Sequence, residues 1–160
     1  MSKIEDKLND ALFVATTARQ MKAVTIGMPQ NVMISGLSGS GKTSITKQWA
    51  EDNGIVLAPY NLSQDVTVIY EEDDGGILRP TKAEDPVAVA KQRIYDALEK
   101  YKDGPDFVLF LDDYHLATKE NLEAIYYTID THKIINPATE EEIELKNMLF
   151  TVAIETEGLF

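Results

Sequence analysis

The stretch SGLSGSGKTS, residues 35–44, decides the fold, because the same letters suit either a flexible linker or a rigid turn around an anion. Residues 36–43 fit the pattern G-x-x-x-x-G-K-[ST] at every fixed position. Glycine allows the backbone to turn tightly and to aim consecutive N–H groups at one point, with no Cβ in the way. A strand is predicted before this stretch and a helix after it, so the positive end of the helix dipole adds to the same point. The pattern therefore predicts a cradle for the phosphates of a nucleotide.

Two side chains of the cradle have distinct expected roles. Lys42 is long enough to reach the β- and γ-phosphates, and the hydroxyl of Thr43 is a suitable ligand for Mg²⁺. ATP or ADP, together with Mg²⁺, is therefore the expected cofactor. The predicted nucleotide contacts are Gly36, Ser38, Gly39, Ser40, Gly41, Lys42, Thr43 and Ser44.

A second motif, FVLFLDD at residues 107–113, is an apolar run that ends in two acids. An uninterrupted apolar run is typical of a central parallel strand that is covered on both faces. Ligands of parallel sheets bind at the carboxyl ends of the strands, so Asp112 is placed to hold Mg²⁺ through its water shell. The alternative is that Asp112 and Asp113 only end a core strand and begin a turn. The cradle upstream favours the metal site.

Strand and helix patterns alternate along the chain, which predicts right-handed crossovers and a mostly parallel central sheet between two layers of helices. The predicted fold class is therefore α/β, a three-layer sandwich of the P-loop NTPase type. We expect one domain over residues 1–160, with a leading helix in 1–26 and an inserted hairpin or loop in 61–85. The predicted strands cover 31–35, 55–60, 107–111 and 148–154; the predicted helices cover 3–21, the stretch from 42 to a stop at 53–54, 86–102 and the stretch from 118.

The composition excludes cysteine chemistry and disfavours some classes of binding partner. The chain has 160 residues, 44% hydrophobic and 26% charged, and no cysteine, so disulfides and thiolate metal sites are excluded. Its net charge of −12 disfavours the coating of a nucleic acid, since a surface this acidic repels a polyanion. The longest apolar run is too short to span a bilayer and the start has no signal-peptide pattern, so we expect a cytoplasmic protein without a membrane partner.

The order of the two motifs separates two kinds of phosphate-loop protein. GLSGSGK also resembles the phosphate loop of small kinases such as adenylylsulfate kinase. Here, however, a strand at 55–60 and a helix at 86–102 come between the loop and the acidic strand. A strand between these two in the sheet, with two acids at the tip, favours the additional-strand ATPases, which hydrolyse ATP with a bound water. A kinase that phosphorylates a small molecule is the alternative.

A resemblance to a known family extends through most of the chain. The pieces that carry it are NVMISGLSGSGKTSITKQWAEDNGI (31–55), YNLSQDV (60–66), GGILRP (75–80), FVLFLDDYHLATKENLEAIYYTIDTHKI (107–134) and LFTVAIETE (149–157). Together they resemble the core of an AAA+ ATPase, and more narrowly its MoxR-like and dynein-related branch. The resemblance implies ATP binding between subunits of a homo-oligomeric ring, with hydrolysis that drives the remodelling of a partner protein.

The resemblance also implies roles for individual residues. Asp113 lies where the family usually has a glutamate that orients the attacking water, and its carboxylate is about 1.5 Å further back because the side chain is one methylene shorter. Thr156 is the nearest candidate for the sensor residue at the end of the last strand. The catalytic residues implied are therefore Asp113 and Thr156, with Thr43 and Asp112 at the metal.

The parts of the family pattern that accelerate hydrolysis are not found in this sequence. The arginine finger and the helical lid are expected downstream of the sensor residue, whereas the arginines here are Arg19, Arg79 and Arg93 and the sequence ends at Phe160. An arginine finger contributes about 10³–10⁵ in rate, so we expect weak or no turnover by this chain alone, and hydrolysis in a longer chain or an oligomer. A nucleotide-gated binding module without turnover is a further alternative.

Three smaller features complete the sequence-based picture. His115 follows the acidic pair and is interpreted as a solvent-facing turn residue, with an approach to the γ-phosphate or to a neighbouring subunit as the alternative. Residues 140–144 are interpreted as a solvated loop or short helix. The segment 61–85 is the best candidate for contact with a partner, and a mobile surface is the alternative.

Overall fold

A computed structural model describes residues 3–20, 31–37 and 39–157 of the chain. Its helices are α1 (Lys3–Gln20), α2 (Lys42–Asp52), α3 (Pro86–Leu98) and α4 (Lys119–Thr131), with 3₁₀ turns at Glu99–Tyr101 and Tyr114–Leu116. Its strands are β1 (Val32–Leu37), β2 (Val56–Pro59), β3 (Val68–Glu72), β4 (Leu78–Lys82), β5 (Phe107–Leu111), β6 (Lys133–Ile135), β7 (Glu142–Glu144) and β8 (Met148–Glu157). Within these described ranges, no helix is long and apolar enough to cross a membrane.

Four strands form one parallel sheet in the order β1–β8–β5–β2. The expected strand between β1 and the acidic strand β5 is present, but it is β8, the last along the chain. The strand predicted at 55–60 is β2, which lies at the edge and not between them. Helices α1 and α2 pack on one face of the sheet, and α3 and α4 pack on the other. The predicted three-layer α/β sandwich with a parallel central sheet is confirmed.

Strand β5 shows why both faces of the sheet are covered. All five of its residues are buried. Phe107, Leu109 and Leu111 belong to the core under α3 and α4, whereas Val108 and Phe110 belong to the core under α1 and α2. Alternate residues of a strand point to opposite faces, so an uninterrupted apolar run suits a strand with helices on both sides. Truncation of one such buried leucine to alanine costs about 2–5 kcal/mol of stability.

The starts of the helices differ in a way that matters for the site. Asp85 caps α3 by accepting a hydrogen bond from the N–H of Ala88 at 3.2 Å, and Thr118 caps α4 by accepting one from the N–H of Asn121 at 3.3 Å. Aspartate and threonine are both favoured at this position of a helix. Helix α2 instead begins after Gly41, which has no side chain that could cap its first N–H groups.

Most of the predicted boundaries shift by a few residues. Strand β1 runs to Leu37 and so enters the glycine-rich stretch, α3 ends at Leu98 before a 3₁₀ turn, and β8 continues to Glu157. Assignments at element ends routinely differ by this much, because end residues make only half of their hydrogen bonds within the element. The part of the predicted leading helix beyond residue 20 lies outside the described residues.

The prediction of a loop or short helix at 140–144 is wrong for residues 142–144. Glu142–Glu144 forms β7, which pairs antiparallel with β6. The pair places Ile134 and Ile143 opposite each other, and both pack against the core under α3 and α4. The alternation of acid and isoleucine is a strand pattern that the high charge of this stretch concealed.

The hairpin predicted within 61–85 is present as β3 and β4, which pair antiparallel from Val68 and Lys82 to Glu72 and Leu78. It forms a two-stranded sheet separate from the parallel sheet. Most of its residues are exposed, including the large apolar side chains of Tyr70 and Leu78. The hairpin therefore adds surface to the domain without adding to its main core.

Candidate nucleotide site

The carboxyl ends of β1, β5 and β8 meet at one edge of the sheet, as their parallel arrangement requires. At this edge a cavity of about 250 Å³ opens between the glycine-rich loop and the acidic turn after β5. Its lining residues come from both motifs and from β8: Gly39, Gly41, Lys42, Thr43, Ser44, Asp112, Asp113, Ile154 and Thr156. Gly36 and Ser40 contact the Lys42 side chain in the same loop, whereas Ser38 lies outside the described residues. The fold thus brings the predicted site residues together, apart from the one not described.

Three glycines shape the loop for two different reasons. Gly39 has φ of 79° and Gly41 has φ of 83°, which is left-handed backbone that residues with a side chain rarely adopt. Gly36 lies against the aliphatic part of the Lys42 side chain, so that a Cβ at position 36 would be 3.3 Å from Cδ of Lys42. The loop is therefore a tight turn whose shape depends on missing side chains, as a phosphate cradle requires.

Lys42 is a buried cation at the start of α2. The residue is 6% exposed, and its Nζ donates to the carbonyl oxygens of Leu37 at 2.7 Å and Gly36 at 2.9 Å. In the part of the chain that the structure describes, no carboxylate forms an ion pair with it. A buried charge is costly unless an opposite charge compensates it, so the surplus positive charge here suits an anion.

Thr43 and Asp112 face each other across the cavity. The hydroxyl oxygen of Thr43 lies 3.4 Å from each carboxylate oxygen of Asp112, which is long for a hydrogen bond between oxygens. Among the described residues, no group of three histidine or acidic side chains could hold a metal by itself. Mg²⁺ usually takes most of its ligands from phosphate and water and only one or two from protein oxygens. The pair fits Mg²⁺ bound together with a nucleotide.

Asp113 adopts left-handed backbone immediately after Asp112, with φ of 54°, and begins the 3₁₀ turn at Tyr114–Leu116. Aspartate tolerates this conformation better than most residues with a side chain. The N–H of Asp113 donates to Oδ1 of Asp112 at 2.9 Å, and its carbonyl accepts from the N–H of Leu116 at 2.9 Å. The turn therefore orients the Asp112 carboxylate and leaves the Asp113 side chain exposed at the cavity.

Thr156 is held from two sides at the end of β8. It lies opposite Gly36 in the ladder between β8 and β1. On its other side its N–H donates to Nδ1 of His115 at 3.0 Å. The interpretation of His115 as a solvent-facing residue is therefore wrong, because its half-buried ring is engaged by the end of β8. No pattern in the sequence pairs these two residues, which are 41 positions apart.

A second cavity of about 420 Å³ adjoins the first, and Asp112 and Asp113 line both. Its other walls come from α2, from β2 and the segment after it, and from β5: Lys47, Leu57, Pro59, Tyr60, Asn61, Ser63 and Phe110. One cation and several polar groups thus surround a largely apolar floor. Sequence reasoning placed no cavity here.

A buried polar network supports the wall of this second cavity. Burial raises the pKa of Tyr60 to about 12, against the opposing charge of Arg93, so its hydroxyl stays protonated and donates to Oδ1 of Asn121 at 2.7 Å. Asn121 is fully buried, and its amide nitrogen donates to the carbonyls of Leu62 at 3.0 Å and Gln64 at 2.9 Å. These bonds fasten the segment after β2 to α4. In the sequence, this supporting role is indicated only by a single asparagine, Asn121, in the first turn of a predicted helix.

Comparison with known proteins bears on the fold. No family model and no curated protein matches this chain. Among solved structures, a RuvB point mutant from Thermotoga maritima is similar with a TM-score of 0.51 and 17% sequence identity, over 96% of this chain and 38% of the RuvB chain. The chain therefore spans well under half the length of that structure. At this identity the likeness shows the fold alone, an α/β sandwich with a parallel central sheet like that of the RuvB chain.

Proposed function

We propose that this chain is the ATP-binding core of an AAA+ ATPase, which couples the binding and hydrolysis of ATP to the remodelling of a partner protein or complex. The proposal treats residues 1–160 as one domain. Its first support is the fold, which matches this class coarsely. Its second support is the chemistry of the cavity between the glycine-rich loop and the acidic turn.

The observation that carries the proposal is the surplus positive charge at Lys42. The buried ammonium donates to loop carbonyls and forms no ion pair within the described residues. The uncapped start of α2 adds its dipole at the same place, equivalent to about half a positive charge. A polyphosphate would accept hydrogen bonds from both, which supports a nucleotide over an uncharged ligand.

The remaining site residues have roles that follow from their positions. Thr43 and Asp112 would hold Mg²⁺, which supplies neutralisation of the charge that develops on the phosphates. Asp113 would orient the attacking water and accept its proton, and Thr156 would contact the terminal phosphate from the opposite wall. The backbone of the glycine-rich loop, with the Ser44 hydroxyl, would bind the other phosphates.

We infer weak or no turnover by the isolated chain. No arginine lines the described cavity, whereas an arginine at the terminal phosphate contributes about 10³–10⁵ in rate. A second copy in a ring, or a longer chain, is the proposed source of that group. The net charge of −12 supports a partner other than nucleic acid, and the cytoplasm is the proposed location.

A second candidate function is phosphate transfer to a small molecule, and the second cavity favours it. That cavity shares Asp112 and Asp113 with the nucleotide cavity, so an acceptor bound there would lie beside the group that removes its proton. Among its described lining residues Lys47 is the single cation, which is fewer than a strongly anionic acceptor would require. An uncharged hydroxyl compound is the acceptor class that fits.

The binding claim is tested by titration calorimetry with Mg²⁺-ATP. Lys42→Ala should weaken binding by about 10–100-fold, because charge-assisted hydrogen bonds contribute about 1.5–3 kcal/mol. Lys91→Ala removes an exposed lysine from α3 and is the matched control, which should bind like the parent. Equal affinities for Lys42→Ala and the parent would overturn the proposal.

The reaction class is tested by the dependence of ADP release on added compounds. An ATPase releases ADP without an acceptor, and faster at higher protein concentration if a second copy completes the site. A kinase releases ADP only with an acceptor, and Lys47→Ala should then raise the KM for that acceptor. Acceptor-dependent release by a monomer would favour the second candidate.

A further inference from the structure

Within the described residues, the end of β8 lacks a strand on one side. Its ladder with β5 stops at Leu111 and Ala153, because β5 ends there and the chain turns away at Asp112. Its ladder with β1 continues for four more residues, to Leu37 and Glu157. Residues 154–157 therefore have a neighbouring strand on the β1 side only, and their backbone groups on the β5 side need other partners.

His115 provides one of those partners. The left-handed Asp113 turns the chain into the 3₁₀ turn at Tyr114–Leu116, and this brings the imidazole beside β8. There Nδ1 accepts the Thr156 N–H at 3.0 Å, in the place where a carbonyl of β5 would otherwise serve. A ring nitrogen that accepts is unprotonated, so the neutral ring carries its proton on Nε2.

This bond connects the parts of the nucleotide cavity. Thr156 lines the cavity and lies opposite Gly36, the first glycine of the cradle. His115 lies two residues after Asp113, which lines the same cavity. The hydrogen bond therefore fixes the distance between the acidic turn and the end of β8. These two segments form the wall of the cavity where the terminal phosphate of a triphosphate would lie.

We propose that His115 is a positioning residue that sets the place of Thr156, and so makes the cavity distinguish a nucleoside triphosphate from a diphosphate. The discrimination part rests on the proposed nucleotide binding; the positioning part rests on the bond itself. His115 does not line the cavity, so it acts through Thr156 and the acidic turn. A substitution should therefore change ATP affinity more than ADP affinity, because the triphosphate alone reaches this wall.

The test compares three variants whose side chains differ in where they place an acceptor. His115→Asn puts an amide oxygen near the position of Nδ1, His115→Gln puts it further out, and His115→Ala removes it. His115→Ala and His115→Gln should weaken Mg²⁺-ATP binding by about three- to tenfold with little change for ADP, and His115→Asn should restore most of the loss. Calorimetry gives both affinities, and thermal unfolding of each variant identifies any general loss of fold.

Amide hydrogen exchange at Thr156, measured by NMR without nucleotide, tests the bond separately. Protection of this N–H should be present in the parent and His115→Asn, and should fall in His115→Gln and His115→Ala. Equal protection in all four proteins, or an equal loss of ATP and ADP affinity, would overturn the proposal. If the parent binds no nucleotide, the proposed function fails and the exchange pattern still decides whether His115 positions Thr156.

Discussion

Two glycine-rich turns of this chain use similar residues with different results. Residues 36–43 begin in the last two residues of β1, and residues 73–79 run from the end of β3 into the start of β4. Each turn contains glycine in left-handed backbone, at Gly39 and Gly41 in the first and at Gly76 in the second. Sequence composition alone classifies both as flexible loops.

The hairpin turn satisfies its own polar groups. Oδ1 of Asp73 accepts from the N–H groups of Gly75 at 2.9 Å and Ile77 at 3.0 Å, and Oδ2 accepts from Nε of Arg79 at 2.6 Å. The hydrogen bond from Arg79, followed by the bond from the Ile77 backbone, holds the pKa of Asp73 below its usual value. Anion and cation are matched within seven residues, so this turn needs no ligand.

The cradle leaves positive charge unmatched. Lys42 is buried against the carbonyls of Gly36 and Leu37, and α2 starts at this point without a side-chain cap. The difference between the two turns is therefore in charge compensation and not in glycine content. A glycine-rich turn indicates a binding site when its own residues leave a buried charge without an opposite partner.

The largest expected effect is at the metal. Asp112→Asn should reduce the Mg²⁺-dependent part of ATP affinity by about 10–100-fold, because ligands that act through water orient and hold the ion. Asp74→Asn, which removes an exposed acid from the hairpin turn, is the matched control and should change nothing. Calorimetry with and without Mg²⁺ measures both. If Asp112→Asn left the Mg²⁺ dependence of ATP affinity unchanged, the proposed metal site at Asp112 would be wrong.

The next effect compares one glycine from each turn. Gly41→Ala and Gly76→Ala each force alanine into φ near 80°, and the added Cβ meets little in either place. Both should lose about 1–2 kcal/mol in urea unfolding, because left-handed backbone costs alanine that amount. Only Gly41→Ala should also weaken nucleotide binding, since it changes how the loop presents its N–H groups. Equal nucleotide affinities for the two variants would contradict the distinction between the turns.

A smaller effect tests whether any unmatched buried group marks a site. The hydroxyl of Thr151, in the middle of β8, is buried without a hydrogen-bond partner in the described structure. Thr151→Val should leave nucleotide affinity unchanged and stabilise the fold by up to about 1 kcal/mol, because it removes an unsatisfied polar group. Thr46→Val is the contrast, since the Thr46 hydroxyl donates to the Lys42 carbonyl at 2.8 Å and its loss should destabilise the fold. Chemical unfolding measures both, and a loss of stability in Thr151→Val would contradict the expectation.

The smallest effect concerns the hairpin. Arg79→Leu should raise the pKa of Asp73 towards its ordinary value, because the hydrogen bond from Arg79 is the largest cause of its lowering. A carboxyl with a lowered pKa stabilises the folded state above its unfolded pKa, and this contribution is lost as pH falls through the folded value. The stability of the hairpin should therefore depend less on pH in the acid range in this variant. NMR titration of Asp73 measures the change in its pKa. An unchanged pKa would show that the backbone donors suffice.

Sequence patterns predicted much of the site because the patterns are local. The cradle and the acidic pair each depend on residues within a few positions of one another. The alternation of acid and isoleucine at 142–144 is also a local pattern with the two-residue period of a strand. From sequence alone it is interpreted as a loop because most of its residues are charged. The resemblance to a family supplied Thr156 as a candidate, and its catalytic role stays a prediction.

Other features could not be predicted because they depend on which segments meet. The bond from Thr156 to His115 exists because β5 ends earlier than β8, and neither strand length is specified by a pattern in its own residues. The network of Tyr60 and Asn121 likewise joins residues 61 positions apart. From sequence alone, a polar side chain at the start of a helix is predicted to be a surface group. Only the tertiary structure shows whether packing buries it.

The sequence by itself determined that the chain turns tightly around residues 36–43, that 107–111 is covered on both faces, and that acids follow it. These depend on backbone freedom, hydrogen bonding to near neighbours and the period of apolar residues. Only the tertiary structure decided that β8 separates β1 from β5, and so brought Thr156 beside Gly36 across 120 positions. Strand order depends on how two helical layers pack on the sheet, which is a property of the whole chain and not of any segment.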